Sequence, residues 1–146
     1  NKGAFLYALN FSLGVNIFFE LNEILAKMMT KLEDYKVDIE EIHHTKKLDA
    51  PSGTAITLAE GVVKNHSQYS NWKLDESTKN TLPITAKRIP DVPGTHIITY
   101  KSDIDTIKIE HEAHSRQGFA LGAVIAAEWI IGKTGVFTMK DVLNIG

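Results

Sequence analysis

Glu41-Ile-His-His-Thr-Lys-Lys-Leu-Asp-Ala-Pro-Ser-Gly-Thr-Ala55 joins an apparent strand, Tyr35 to His44, to an apparent helix, Thr54 to Asn65. Period-2 alternation sets Val37, Ile39, Glu41 and His43 against Asp38, Glu40, Ile42 and His44. The two adjacent histidines are thus expected on opposite faces, and only one can enter a given pocket from a regular strand. Asp49-Ala-Pro-Ser-Gly53 is turn chemistry, and Pro51 biases Ala50 away from helix. Ser52 is read as an N-cap whose hydroxyl satisfies an early helix donor. The amides of Gly53 and Thr54 are then open to a carboxylate or phosphate, and Gly53 has no side chain to block approach. Singly, each histidine or lysine here reads equally well as a solvated side chain. Clustered at a helix start, they form a proton-handling group beside an anion cradle.

Outward from this stretch the chain reads as α+β. An apolar strand over Ala4 to Leu9 precedes a helix from about Leu13 to Glu33, with Phe18, Leu21, Leu25, Met28 and Leu32 as its apolar stripe. Met28 and Met29 are expected to fill the core. The second helix places Ala55, Leu58, Ala59 and Val62 on one face. His66 to Leu82 reads as a long polar surface loop with Trp72 pinning it. Three strand-like runs follow, Leu82 to Ile89, Thr95 to Lys101 and Asp105 to Ala113, and their short connections suggest an antiparallel meander. With Tyr35 to His44 they predict a mixed, largely antiparallel sheet of about four strands, helices packed on one face. In the last strand Ile107, Ile109, His111 and Ala113 share a face. A third helix, about Arg116 to Ile131, is expected to turn Ala120, Ala123, Val124 and Ala127 inward. Lys46, His66, His96 and His114 are expected to be solvated.

With 146 residues and a formal charge of −2, the chain can form one domain with a proper core, and nothing suggests nucleic acid or an anionic membrane as partner. The absence of cysteine excludes disulfides and thiol catalysis. Gly132-Lys-Thr lacks the glycine a P-loop needs five residues earlier, where Ala127 stands. His111 and His114 are three apart on a strand and face opposite ways, so no metal site is expected. Ser52 lacks the Gly-x-Ser-x-Gly elbow of a nucleophile.

His43, His44, Lys47, Asp49, Ala50, Pro51, Ser52, Gly53, Thr54 and Ala55 make a His-His-x-x-Lys-x-Asp-Ala-Pro-Ser-Gly-Thr-Ala pattern. It resembles the signature of the 4-hydroxy-tetrahydrodipicolinate reductase (dihydrodipicolinate reductase) family of lysine and diaminopimelate biosynthesis. Asn10 to Asn16, His111 to Ala123 and Gly132 to Leu143 resemble the same family in the same order. The resemblance implies reduction of a cyclic imine dicarboxylate by NADH or NADPH. His43 would be the acid/base, Lys47 the proton donor, and His44, Lys47, Ser52, Gly53 and Thr54 the carboxylate site. An imidazole and an ammonium beside a dianion suit proton donation, because negative charge favours their protonated forms.

Residues 1–10 would end a dinucleotide-binding domain that this chain otherwise lacks, since it has no Gly-x-Gly-x-x-Gly. Residues 11–132 would form the substrate-binding and oligomerisation domain, and 133–146 a tail returning to the first domain, with its apolar face partly bare or repacked. Ala8, Leu9, Asn10 and Phe11 are candidates for the nicotinamide end of the cofactor. Phe11 reads equally as a buried side chain before a helix. Arg116 is a candidate on the substrate or cofactor side, or a surface ion pair. The resemblance further implies a cytoplasmic homotetramer joined through the sheet. The chain alone is expected to bind the dicarboxylate weakly and not to turn over. A non-catalytic dicarboxylate-binding and tetramerisation module is the alternative.

Overall fold

The computed structural model describes residues 2–146; Asn1, with which the expected first segment begins, lies outside the described residues. The elements are β1 (Ala4–Leu6), α1 (Leu13–Met29), β2 (Lys36–His43), α2 (Gly53–Asn65), β3 (Asn71–Leu74), β4 (Thr81–Arg88), β5 (Gly94–Lys101), β6 (Thr106–Ala113), α3 (Gln117–Trp129), β7 (Gly135–Phe137) and α4 (Met139–Leu143). The fold is α+β, with a mixed five-stranded sheet ordered β3-β4-β2-β5-β6 and a separate parallel pair, β1-β7.

The meander expectation is corrected by this order. β4 does not neighbour β5; it runs parallel to β2, with His43 opposite Arg88, and β5 pairs antiparallel on the other side of β2. The physical reason is the intervening helix. α2 lies between β2 and the strands that follow it, and its length lets the chain come back in the same direction as β2. The expected loop from His66 to Leu82 also contains β3, which adds the fifth strand parallel to β4.

One face of the sheet carries the core. Val37 and Ile39 of β2, Leu82 and Ile84 of β4, and Ile98 and Tyr100 of β5 meet Phe18, Ala26 and Met29 of α1 and Ala55, Leu58, Ala59 and Val62 of α2. Burying each of the larger aliphatic chains contributes about 1.5–3 kcal/mol, so this seam anchors the α2 start over the sheet. Asn22 joins the two helices by donating from Nδ2 to the Leu58 carbonyl at 2.9 Å.

The inward stripe of α1 is Val15, Phe18, Asn22, Ala26 and Met29. Of the expected stripe only Phe18 is fully inside and Leu25 packs partly against the core; Leu21, Met28 and Leu32 are exposed. The helix uses a polar residue, Asn22, on its buried face, and an apolar count alone selects the neighbouring ridge instead. His66 and His96 are likewise buried, at 1% and 5% exposure, while His114 is exposed as expected. Period-2 reading of β5 places His96 with Ile98 and Tyr100, hence inward.

α3 turns Gly122 and Ala126 inward, not Ala120, Ala123, Val124 and Ala127. It crosses the start of α1 rather than lying on the sheet. A Cβ built on Gly122 would stand 1.7 Å from the Phe11 carbonyl oxygen. The tail forms β7 and α4; β7 pairs parallel with β1, and Phe5, Tyr7, Leu9 and Val136 remain exposed around it. Because the Gly122 clash is with backbone, which cannot rotate away, Gly122→Ala is expected to destabilise the chain by about 1–3 kcal/mol or more, read as a lowered urea midpoint with unchanged slope.

Candidate functional site

β2 ends at His43, and its inward alternation carries Glu41 and His43 to the helix-covered face. The parallel neighbour brings Arg88 beside them, and the antiparallel neighbour sets His96 across from Glu41. The loop after β2 then delivers Ser52, the N-cap of α2. β2, β4 and the start of α2 thus converge on one carboxylate, with His96 of β5 beside it.

Glu41 has a fully buried side chain. His43 Nδ1 donates to its Oε2, Arg88 Nη2 donates to Oε1 at 3.1 Å, and the Ser52 amide donates to Oε1 at 3.1 Å. Burial alone would push the Glu41 carboxyl up. The hydrogen bonds and charges of His43 and Arg88 outweigh it and hold the group below the usual carboxylate range. A carboxylate only accepts, so His43 presents Nδ1–H to Glu41 and leaves Nε2 for other work. Nε2 faces Gly94, where an added Cβ would come within 3.0 Å.

Ser52 is 2% exposed. Its Oγ accepts from the Ala55 amide at 3.1 Å and is hydrogen-bonded to His96 Nε2 at 2.9 Å. Both its amide and its hydroxyl therefore have partners inside the protein. The Gly53 and Thr54 amides have no acceptor among the described residues, and space is open in front of Gly53. These two amides are the donors of the α2 start left without an acceptor among the described residues.

Lys47 Nζ pairs with Asp49 Oδ1 at 3.0 Å, and the Lys47 amide donates to the His44 carbonyl. This pairing holds the Asp49 carboxyl below its usual range. Arg88 Nη2 also donates to the Asp49 carbonyl at 2.6 Å, which ties the loop carrying Lys47 to the edge of the sheet at which His43 ends.

The expected residues divide into groups. His43, Ser52, Gly53 and Thr54 meet at the Glu41 network, with Lys47 joined through the Asp49–Arg88 link. His44 turns the other way and lines a cleft of about 380 Å³ with Lys46, Asp91, Ser115 and Arg116. Ala8 to Phe11 form the corner between β1 and α1. There Asn10 Oδ1 accepts from the Ser12 amide, Asn16 Nδ2 donates to the Asn10 carbonyl, Phe11 is half-buried and Leu9 is exposed. Glu41, Arg88 and His96 were not singled out by the sequence. The alternation that points His43 inward also points Glu41 inward, and that signal was available. Arg88 needed the parallel pairing of β2 and β4.

Glu41, His43 and His96 each offer a ligand atom within 4.8 Å of the others, so the donor set could also hold a metal ion. The hydrogen bonds to Arg88 and Ser52 already balance the carboxylate without one. No helix among the described residues is long and apolar enough to cross a membrane.

A family model described as "Dihydrodipicolinate reductase, C-terminus" matches residues 14–143. A 4-hydroxy-tetrahydrodipicolinate reductase of Christiangramia forsetii is 64% identical over 141 residues, covering 97% of this chain and 59% of the relative. One from Methanococcus vannielii is 38% identical over 152 residues, covering 99% of this chain and 55% of the relative. The chain thus spans little more than half the length of the curated relatives it matches. Among solved structures, a dipicolinate-bound dihydrodipicolinate reductase from Paenisporosarcina sp. TG-14 shares the fold with a TM-score of 0.74 at 21% identity, over 93% of this chain and 53% of that one.

Three histidines make stability depend on pH below neutrality. Burial lowers His66 and His111, and burial together with the His43 charge pushes His96 down to about 3 from 6.5. Below pH 6.5 the unfolded chain takes up protons that the folded chain refuses, so stability falls with acidification until the folded values are reached. For His96 the slope approaches about 1.4 kcal/mol per pH unit well below 6.5. Urea midpoints are expected to drop between pH 7 and pH 5, and His96→Gln is expected to flatten that dependence.

Proposed function

Because the chain belongs to the dihydrodipicolinate reductase C-terminal family, we propose that it supplies the substrate site and the acid/base groups for NAD(P)H-dependent reduction of 4-hydroxy-tetrahydrodipicolinate to tetrahydrodipicolinate. The observation that carries this reading is the convergence of the Glu41–His43 pair with the two unpartnered amides that start α2. One substrate carboxylate sits on the Gly53 and Thr54 amides, where aligned N–H groups and the helix dipole favour an anion. Ser52 holds this cradle in place rather than filling it. The resemblance also puts Lys47 and His44 among the carboxylate-binding residues. With His44 in the Arg116 cleft and Arg88 engaged by Glu41, Lys47 is the cation we assign to the second carboxylate.

The cofactor supplies the hydride. This chain has no glycine-rich phosphate loop, and we assign the main cofactor contacts to a dinucleotide-binding domain outside it, with Leu9, Asn10 and Phe11 at the junction. The chain's own residues handle the proton. Glu41 fixes the His43 ring through Nδ1, so Nε2 is the atom that carries and gives the proton. Lys47 has three N–H donors; one is held by Asp49, and the others can steady or protonate the dianion. The sheet face opposite the helices, carrying Asp38, Glu40, Ile42, Ile97, Thr99 and Lys108, is where we place the contacts of a homotetramer.

The second reading, a non-catalytic dicarboxylate-binding and assembly module, draws on that same uncovered sheet face. Two experiments separate the readings. In the chain joined to a dinucleotide-binding domain, His43→Gln and Lys47→Ala are each expected to lower kcat by about 10²-fold or more while assembly is kept. Lost assembly with residual activity in proportion would favour the module. Titrating the chain with dipicolinate as a stable dicarboxylate is expected to move the amide resonances of Gly53 and Thr54. Shifts confined to Arg116 and its neighbours would put the anion in the other cleft and defeat the cradle assignment.

A further inference from the structure

β5 contributes two residues to the surroundings of His43, and neither belongs to the His-His-x-x-Lys pattern. Gly94 lies against His43 Nε2 and leaves room there because it has no Cβ. His96, two residues on, is 5% exposed and stands edge-on to His43, ring centroids 5.2 Å apart and planes at 71°. Its Nε2 is hydrogen-bonded to Ser52 Oγ. The same Ser52 donates its amide to Glu41, and Glu41 holds His43 Nδ1. The contacts therefore close a ring: His43 to Glu41, Glu41 to Ser52, Ser52 to His96, and His96 back to His43.

We propose that His96 is a positioning residue: it locks the His43 ring and the α2 start into one rigid unit, so that the proton carried on Nε2 and the carboxylate held by Gly53 and Thr54 keep a fixed separation. The proposal rests on the reading of His43 as the acid/base group, and adds a residue which that reading does not require. An aliphatic side chain at position 96 would fill the space but release the Ser52 hydroxyl. It would leave the cap to Ala55 alone and open a second orientation for the His43 ring.

His96 can serve this role because it stays neutral. Burial and the His43 charge both oppose its protonation, and the charged groups facing the pair are Glu41 from β2, Arg88 from β4 and Lys47 from the loop, with His111 on β6 further off. The negative charge of Glu41 is taken up by His43 and Arg88, which leaves His96 no carboxylate of its own.

The test compares His96→Leu with His96→Gln, whose amide can still reach Ser52 Oγ. Long-range nitrogen–proton spectra of the chain read the tautomer of His43 without substrate or cofactor. The wild type and His96→Gln are expected to show His43 as the Nδ1–H form. His96→Leu frees Ser52, whose amide holds the Glu41 carboxylate against His43, and is expected to show a mixture with the Nε2–H form. In the chain joined to a dinucleotide-binding domain, His96→Leu is expected to lower kcat about tenfold, less than loss of His43 itself, with His96→Gln recovering most of it. An unchanged tautomer and kcat in a folded His96→Leu protein would overturn the proposal, and so would a His96→Gln protein with a disturbed His43. If His96→Leu does not fold, the His96→Gln spectrum decides alone. Full turnover in His43→Gln would defeat the acid/base reading instead, and would leave the tautomer result standing.

Discussion

A carboxylate with no exposed surface must find its full complement of donors inside the protein, and Glu41 is that group here. Removing an ionised carboxyl from water costs several kcal/mol even after relaxation, and only paired charge and hydrogen bonds offset it. Glu41 obtains them from His43 on its own strand and from two more distant segments, Arg88 on β4 and the Ser52 amide at the start of α2. Each partner is thereby fixed. The carboxylate sets the face and the tautomer of His43, ties Arg88 to the loop of Lys47, and holds the end of α2 from which the Gly53 and Thr54 amides emerge.

The topology makes this convergence possible. After β2 and α2 the chain returns through β3 and β4 parallel to β2, so the C-terminal ends of β2 and β4 and the N-terminus of α2 meet at one end of the sheet. Anion sites favour such places, because helix N-termini and the last side chains of parallel strands point at the same space. β5, running antiparallel on the other side of β2, brings its first residues to the same end of the sheet, and those residues are Gly94 and His96.

Much of this could be read in the sequence because the signals were local. Strand alternation placed His43 and His44 on opposite faces, and turn residues fixed Ser52 as the cap of α2 within one residue of its observed start. The parts that escaped depend on pairing between distant segments or on polar residues inside. Arg88 is a strand residue with no local mark, and only β2–β4 pairing explains its use. Asn22 and Gly122 face inward on α1 and α3 although neither counts as a large apolar residue, and each inward face was read one ridge away. Asn22 is there to bond the Leu58 carbonyl, and Gly122 to let α3 approach the Phe11 backbone. Apolar periodicity detects neither requirement.

The same energetics bear on the choice between an enzyme and an assembly module. A buried ion pair or polar ring is a poor source of stability, since well-packed apolar residues of similar volume commonly serve as well or better. The seam between α1, α2 and the sheet already provides such packing, with Ile39, Leu58, Leu82, Ile84 and Ile98 wholly buried a few residues from Glu41. A module selected only to fold and associate would gain little from placing Glu41, Arg88 and two histidines at the edge of that seam. A site that must hold one imidazole in one tautomer beside two free amides needs just such a group of fixed charges. The polar ring thus favours the proposed reading, in which it handles a proton next to an anion, over a purely structural one.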